Sequence, residues 1–282
     1  MKRLLLILTI FLAWGSLLAC STTTQTTEQT LTSTLPSSTT TSQSTTTTTT
    51  TTTTTQTTTS QTTTQTTTEQ PYQYNPIEVP SSVLEEARLS FKFFWEVVNG
   101  DPSSPGYGLI ADRFNVNTNQ WGDSSIASVG YGLAAIPIGI ENGWIGYQEG
   151  YQRALGTVQT LQAMPKVNGF FYHFISMDTG ERSGTSEVSI IDTAIMIAGA
   201  IVAGEYFGGQ VQEIVNQIYQ AIQWDWYFDT NRNMFYMGYN PDTGRFGGHW
   251  DHVAEQLMVY VLAAGSDQYA VGPIAYNTAK NA

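Results

Sequence analysis

The sequence predicts an all-α domain built of helical hairpins that follow one another around a toroid. Two observations predict this fold class. Stretches with apolar residues at helical spacing recur after residue 71, and they have similar lengths. The connections between these stretches alternate between short turns and long loops that are rich in aromatic and polar residues. In such a toroid the long loops gather at one end, where they form a pocket.

The first 70 residues predict two segments that precede this domain. Residues 1–20 have a basic start, an apolar run and the ending Leu17-Leu18-Ala19-Cys20, which is typical of a lipoprotein signal with lipidation at Cys20. The alternative is an ordinary export signal. Residues 21–70 are almost entirely Thr, Ser and Gln and predict a disordered linker. We therefore expect the domain at 71–282 to be extracytoplasmic, in the cell envelope and membrane-anchored through Cys20.

Charge and cysteine content restrict the partners of the domain. The net charge is −12, and loss of Lys2 and Arg3 with the signal would make it −14 because no acidic residue precedes Cys20. An acidic surface disfavours nucleic acid and anionic lipid, and it suits a neutral substrate. Cys20 is the only cysteine, so the chain forms no internal disulfide and its stability comes from the core.

Six helices are predicted from apolar spacing and capping residues. Gly130, Gly132 and Gly139 in the second would cost stability unless another backbone packs closely there. The stretch Gly169–Phe174 predicts a loop or a short strand, and the stretch Phe235–Tyr239 predicts an irregular loop. The helices are predicted at Ser81–Val98, Asp123 or Ser124 to about Asn142, Tyr147–Met164, Ser186–Phe207, Val211–Trp224 and Trp250–Ser266.

The central stretch, Ser186–Phe207, is apolar on nearly every side and predicts a helix buried in a large core. Thr185 and Ser186 supply capping chemistry at its predicted start. Asp192 lies within it, with Glu187 shortly before. Because an unpaired buried carboxylate is costly, Asp192 is either held by structural hydrogen bonds or kept for acid–base chemistry.

Five stretches of the sequence carry a family resemblance: Ser124–Leu133, Gly169–Thr179, Ser186–Phe207, Met237–Tyr239 and Trp250–Ser266. Together they resemble the bacterial glucoamylase-like domain of endo-β-1,2-glucanases and cyclic β-1,2-glucan synthases. The resemblance implies an (α/α)6 toroid, inverting hydrolysis of β-linked glucan and a cleft lined by aromatic and acidic residues. Members of that family continue well beyond the last matched residues, so we expect an incomplete toroid of about six helices.

The resemblance also implies which carboxyl groups carry the chemistry. Glu255 matches the general acid, and Asp192 or Glu187 would be the base or a substrate clamp. Ser189 occupies a position that can be acidic in the glucanases, so the identity of the base stays open. Asp251 and Glu255 are four residues apart and would share one face of the predicted sixth helix.

Each of these acids also has a purely structural interpretation. Glu187 could complement a helix N-terminus, Asp192 could be a buried hydrogen-bond centre, and Glu255 could lie in a surface ion pair. Asp251 fits a first-turn acid better than a catalyst.

Other polar and aromatic residues are candidates for substrate contact. His173 is interpreted as a sugar contact or a loop residue, and Arg113 could orient an acid or a hydroxyl. His249 and His252 match no metal-site spacing, so neither a metal nor a cofactor is predicted. Aromatic rings match the C–H face of a pyranose. The stacking candidates are Trp121, Tyr172 and Trp250.

The first functional hypothesis is a lipid-anchored glycoside hydrolase that acts on glucan or its oligosaccharides, β-1,2-glucan first. The alternatives are a non-catalytic glycan-binding lipoprotein and a stalked surface scaffold. The residues leave the oligomeric state, the chain length of the substrate and the endo or exo mode open.

Overall fold

The computed structural model describes residues 79–281. The predicted signal peptide, Cys20, the linker and the start of the domain at residue 71 lie outside this range. Within it the chain forms seven α-helices, where the sequence predicted about six. They are α1 (Ser81–Glu96), α2 (Ile126–Glu141), α3 (Tyr147–Ala163), α4 (Ile190–Phe207), α5 (Gly209–Gln220), α6 (Leu257–Ala264) and α7 (Ile274–Asn281).

Short antiparallel strands accompany the helices. The predicted helical character is therefore confirmed, and the all-α class is not. The strand β7 pairs with β5, β6 and β8 to make a small sheet. The pairs β1–β2 and β3–β4 are two-stranded. The strands are β1 (Phe114–Asn115), β2 (Gln120–Trp121), β3 (Ser124–Ser125), β4 (Phe174–Ile175), β5 (Val188–Ser189), β6 (Phe228–Asp229), β7 (Met234–Asn240) and β8 (Arg245–His249).

The helices pack in two layers. In the inner layer α4 contacts α2 on one side and α6 on the other. In the outer layer α3 contacts α5, while each of them also contacts an inner helix, α2 and α4 respectively. From α2 to α6 the chain thus alternates between inner and outer helices, as a toroid of hairpins requires.

The close approach of α2 and α4 depends on two glycines. A Cβ atom at Gly199 would overlap the carbonyl oxygen of Gly130. A Cβ atom at Gly130 would lie 2.5 Å from the carbonyl oxygen of Ile195 and 2.5 Å from the Cα atom of Met196. No side chain fits between these two backbones. The glycines in the second predicted helix indicated such close packing.

The helix α4 is the centre of the core. It is long and apolar enough to pass a test for a membrane span, but most of it is buried against the other helices. Its start differs from the prediction, because residues 186–189 are not helical. Ser189, rather than Thr185 or Ser186, is the N-cap, and its Oγ atom accepts the backbone N–H of Asp192 at 3.2 Å.

The predicted sixth helix begins seven residues later than expected. Trp250 does not start a helix because its N–H donates to the carbonyl of Phe235 in β7, at 2.9 Å. The segment 250–256 is therefore irregular, and α6 begins at Leu257. Asp251 and Glu255 do not share a helix face, which corrects the prediction from their spacing.

Two smaller differences concern the neighbouring elements. The fifth helix ends at Gln220, and Trp224 lies in a short 3-10 helix, Trp224–Tyr227. The stretch Phe235–Tyr239, predicted as irregular, belongs to β7 and forms a hairpin with β8. The side chain of Asn240 stabilises the turn by accepting the N–H groups of Asp242 and Thr243.

Candidate active site

A cleft of about 390 Å³ opens beside the N-terminal end of α4 and the segment that precedes α6. Six side chains that the sequence analysis selected line it, including all three proposed catalytic acids. The lining residues are His173, Glu187, Ser189, Ile191, Asp192, Ile195, Met237, Gly238, Trp250 and Glu255.

The strand β5 positions the residues at the start of α4. It pairs with β7, with Ser189 opposite Gly238. On its other side it meets the loop that carries His173, whose N–H donates to the carbonyl of Glu187 at 2.9 Å. The carbonyl of His173 in turn accepts the N–H of Ile126 at the start of α2. Backbone hydrogen bonds therefore tie the His173 loop to the start of α2 and to the residues that precede α4.

His173 lies between two carboxylates. Its Nδ1 atom is 2.8 Å from Oε1 of Glu187, and its Nε2 atom is 3.7 Å from Oδ1 of Asp192. The imidazole ring stacks on the ring of Phe174, with centroids 3.8 Å apart. His173 therefore contacts both candidates for the base, which the sequence analysis did not predict, and the stacking fixes the plane of its ring.

Asp192 is the most enclosed of the three acids, with 14% of its side chain exposed. The Oγ atom of Ser189 lies 2.5 Å from its Oδ2 atom. Burial raises the pKa of Asp192, while His173 and the hydrogen bond from Ser189 act in the opposite direction. The carboxyl group is thus held in one orientation, and its ionisation costs free energy.

Glu255 faces the cleft from the irregular segment before α6. Its pKa is raised by burial and, to a smaller extent, by the negative charge of Asp192. A carboxyl group with a raised pKa keeps its proton closer to neutral pH, and a general acid in glycoside hydrolysis requires this.

Replacing Asp192 with Asn is expected to make the fold more stable at neutral pH. Because its pKa is raised in the folded state, the wild type loses stability as the pH rises through that pKa, and the variant does not. We expect a gain of about 1 kcal/mol at pH 7. Below the ordinary pKa of Asp the difference should vanish, because the carboxyl group is then protonated in both states.

Urea denaturation of both proteins across the acidic and neutral range measures this difference. Ser189 can still donate to the amide oxygen of Asn, so the cap is retained. A variant that is less stable than the wild type at neutral pH would show that the hydrogen bonds to the carboxylate outweigh its burial.

Four predicted substrate-binding residues lie outside the lining of this cleft. Trp121 is on β2 with its ring 6.3 Å from that of Phe114. Arg113 lines a second cleft. Tyr172 lies beneath the guanidinium of Arg182, and Asp251 is exposed and paired with His252 at 2.8 Å. None of these four is among the residues that line the cleft with the acids.

Trp250 lines the cleft, but only 5% of its surface is exposed. It therefore contributes to the floor of the cleft and offers little of its ring for stacking, in contrast to the prediction.

One residue near the acids was missed from the sequence. The pKa of Tyr131 on α2 is raised by burial first, and then by the charges of Glu255 and Asp192. Its position within Ser124–Leu133, the first stretch of the family resemblance, was the available signal. Within residues 79–281, no group of three or more His, Cys, Asp or Glu side chains is arranged to hold a metal ion.

Comparison with known proteins confirms the resemblance to β-1,2-glucan hydrolases. No protein-family model matches the chain. An exo β-1,2-glucooligosaccharide sophorohydrolase of Parabacteroides distasonis is 25% identical over 210 residues, which are 69% of this chain and 27% of that protein. The chain thus spans about a quarter of the length of this curated relative.

Solved structures show the same fold. A protein of Bacteroides uniformis, provisionally assigned as a glucoamylase, superposes with a TM-score of 0.61 and 22% identity, over 73% of this chain and 51% of that one. An endo-β-1,2-glucanase of Chitinophaga pinensis, in complex with sophorotriose and glucose, gives a TM-score of 0.61 and 22% identity, over 71% and 50%. The chain therefore shares a glucoamylase-like fold and covers about half of each structure.

Proposed function

We propose that this domain is a glycoside hydrolase that cleaves β-linked glucan, with β-1,2-glucan as its substrate. One observation carries the proposal: Glu255, Asp192 and Glu187 line a single cleft. The similarity to a sophorohydrolase and to an endo-β-1,2-glucanase supports the choice of linkage.

The proposed mechanism assigns different tasks to the acids. Glu255 protonates the leaving glycosidic oxygen, because its raised pKa favours the protonated carboxyl group that this step requires. Asp192 accepts a proton from the attacking water, and its hydrogen bond from Ser189 orients it for this step. Glu187 holds His173 in place. Attack by water from the opposite face would invert the anomeric configuration.

Two features support an (α/α)6 toroid as the complete architecture. The helices α2 to α6 alternate between the inner and the outer layer, and apolar side chains remain exposed on α1 and α6. Further helices packed there would bury them. The exposed side chains are Val83, Leu84, Leu89, Leu257 and Val261.

We also propose that the protein is anchored in the cell envelope through a lipid on Cys20, with residues 21–70 as the tether. The lipoprotein-type start and the Thr-rich composition support this proposal. Detergent extraction of membranes from cells that express the wild type or Cys20→Ala tests it. The wild type should partition with the membrane, and an equal soluble fraction for both would contradict the anchor.

Release of reducing ends from linear β-1,2-glucan by the full chain tests the hydrolase proposal. Proton NMR of the product before mutarotation then reports the anomer formed. We expect the α-anomer, since inversion of a β-linkage gives it. Binding of the glucan without release of reducing ends would reject hydrolysis and favour the glycan-binding alternative.

A further inference from the structure

We infer that a second cleft, beside the start of α2, is a binding subsite for the part of a gluco-oligosaccharide that extends beyond the acids. This cleft has a volume of about 300 Å³. Its lining residues are Asp112, Arg113, Gly122, Asp123 and Phe174. The inference rests on the proposed function, because it places the remainder of the same substrate.

One pair of stacked rings connects the linings of the two clefts. His173 lines the cleft with the acids, and Phe174 lines the second cleft. Their ring centroids are 3.8 Å apart. Phe174 is also fixed by β4, which pairs with β3 directly before α2. An oligosaccharide that passes over this pair therefore leaves the first cleft and enters the second.

The polar groups of the second cleft suit a neutral polyhydroxyl ligand. The side chain of Arg113 donates to Oδ2 of Asp112 at 2.7 Å and is otherwise exposed, with donors free for solvent or ligand. Asp123 is held by the hydroxyl of Ser183, which donates to its Oδ2 atom at 2.6 Å. Two carboxylates beside one guanidinium disfavour an anion, whereas sugar hydroxyls both donate and accept.

An exposed tryptophan lies next to this cleft. Trp121 precedes Gly122, and 49% of its surface is exposed. It is held in the β1–β2 hairpin, where it pairs with Phe114. The space around Gly122 is open, since an added Cβ atom would meet nothing within 4 Å. A pyranose could therefore stack on the Trp121 ring at the outer side of the cleft.

The test compares a short and a long ligand. Sophorose and a linear β-1,2-linked pentasaccharide are titrated calorimetrically into Glu255→Gln, which slows turnover, and into the same protein with Trp121→Ala added. The second substitution should weaken binding of the pentasaccharide about tenfold and leave that of sophorose unchanged. Arg113→Ala should act in the same direction. The matched control is Tyr147→Ala, an exposed aromatic on α3, which should change neither affinity.

The outcomes separate this inference from the proposed function. The subsite would be overturned if Trp121→Ala left the affinity for the pentasaccharide unchanged, or if it lowered the affinity for both ligands equally. It would also be overturned if the pentasaccharide did not bind before Trp121 was replaced. Failure of the wild type to release reducing ends would reject hydrolysis alone, because the binding comparison does not depend on turnover.

Discussion

Replacing Glu255 with Gln is expected to lower kcat on β-1,2-glucan by about 10²- to 10⁴-fold. The amide keeps the size of the side chain, but its N–H protons are too weakly acidic to be transferred to the leaving oxygen. Initial rates of reducing-end release measure the loss. Substrate affinity should change little, because Gln retains hydrogen-bonding capacity in the cleft.

The pH profile gives this prediction a second readout. Because the pKa of Glu255 is raised, wild-type activity should persist above the ordinary range of a glutamate and then fall as Glu255 ionises. The remaining activity of Glu255→Gln should lack this alkaline decline. The control Glu213→Gln changes an exposed carboxyl group on α5 and should match the wild type. Equal activity of wild type and Glu255→Gln, with both folded by circular dichroism, would remove Glu255 from the mechanism.

The second large effect is expected from Gly199→Ala, which should destabilise the fold by about 3 kcal/mol. The new Cβ atom would overlap the carbonyl oxygen of Gly130, and a backbone atom cannot rotate away as a side chain can. The helices α2 and α4 would have to separate. For a domain of this size the melting temperature should fall by about 6–12 °C, as measured by thermal denaturation.

The same helix offers a matched control. At Gly204 an added Cβ atom would lie 3.3 Å from the Cα atom of Gln212 and 3.6 Å from the Cβ atom of Val215, which is close but without overlap. The higher helix propensity of Ala offsets part of this crowding. Gly204→Ala should therefore have a much smaller effect, and equal losses at both positions would show that the α2–α4 contact is not special.

Helices with a long apolar pattern could be predicted from the sequence, and short strands could not. The helix at Tyr147–Ala163 follows its spacing closely. Strands of two residues, such as β5, have no measurable period, so only their pairing partners reveal them. The segment 250–256 failed for a different reason: a backbone bond from Trp250 to β7 prevents a helix that local sequence would allow.

The candidate site shows the same division. Glu255, Asp192 and Glu187 were selected by a family resemblance, and the structure brings them to one cleft. The contact of His173 with Glu187 depends on the loop that pairs with β5, which no local pattern encodes. Trp121 and Arg113 were predicted as substrate contacts, but the sequence could not show that they lie outside the lining of the cleft that holds the acids.

The burial of α4 has a consequence for hydrogen exchange. Amide protons in a helix enclosed by α2, α5 and α6 should exchange only when the whole domain unfolds. Asp192 lies in the first turn of that helix, whereas Glu255 lies in an irregular segment whose amides should exchange through local opening. Glu255 and Asp192 thus lie in regions of different local stability. Local opening of the segment 250–256 would displace the proposed acid while the proposed base stays in place.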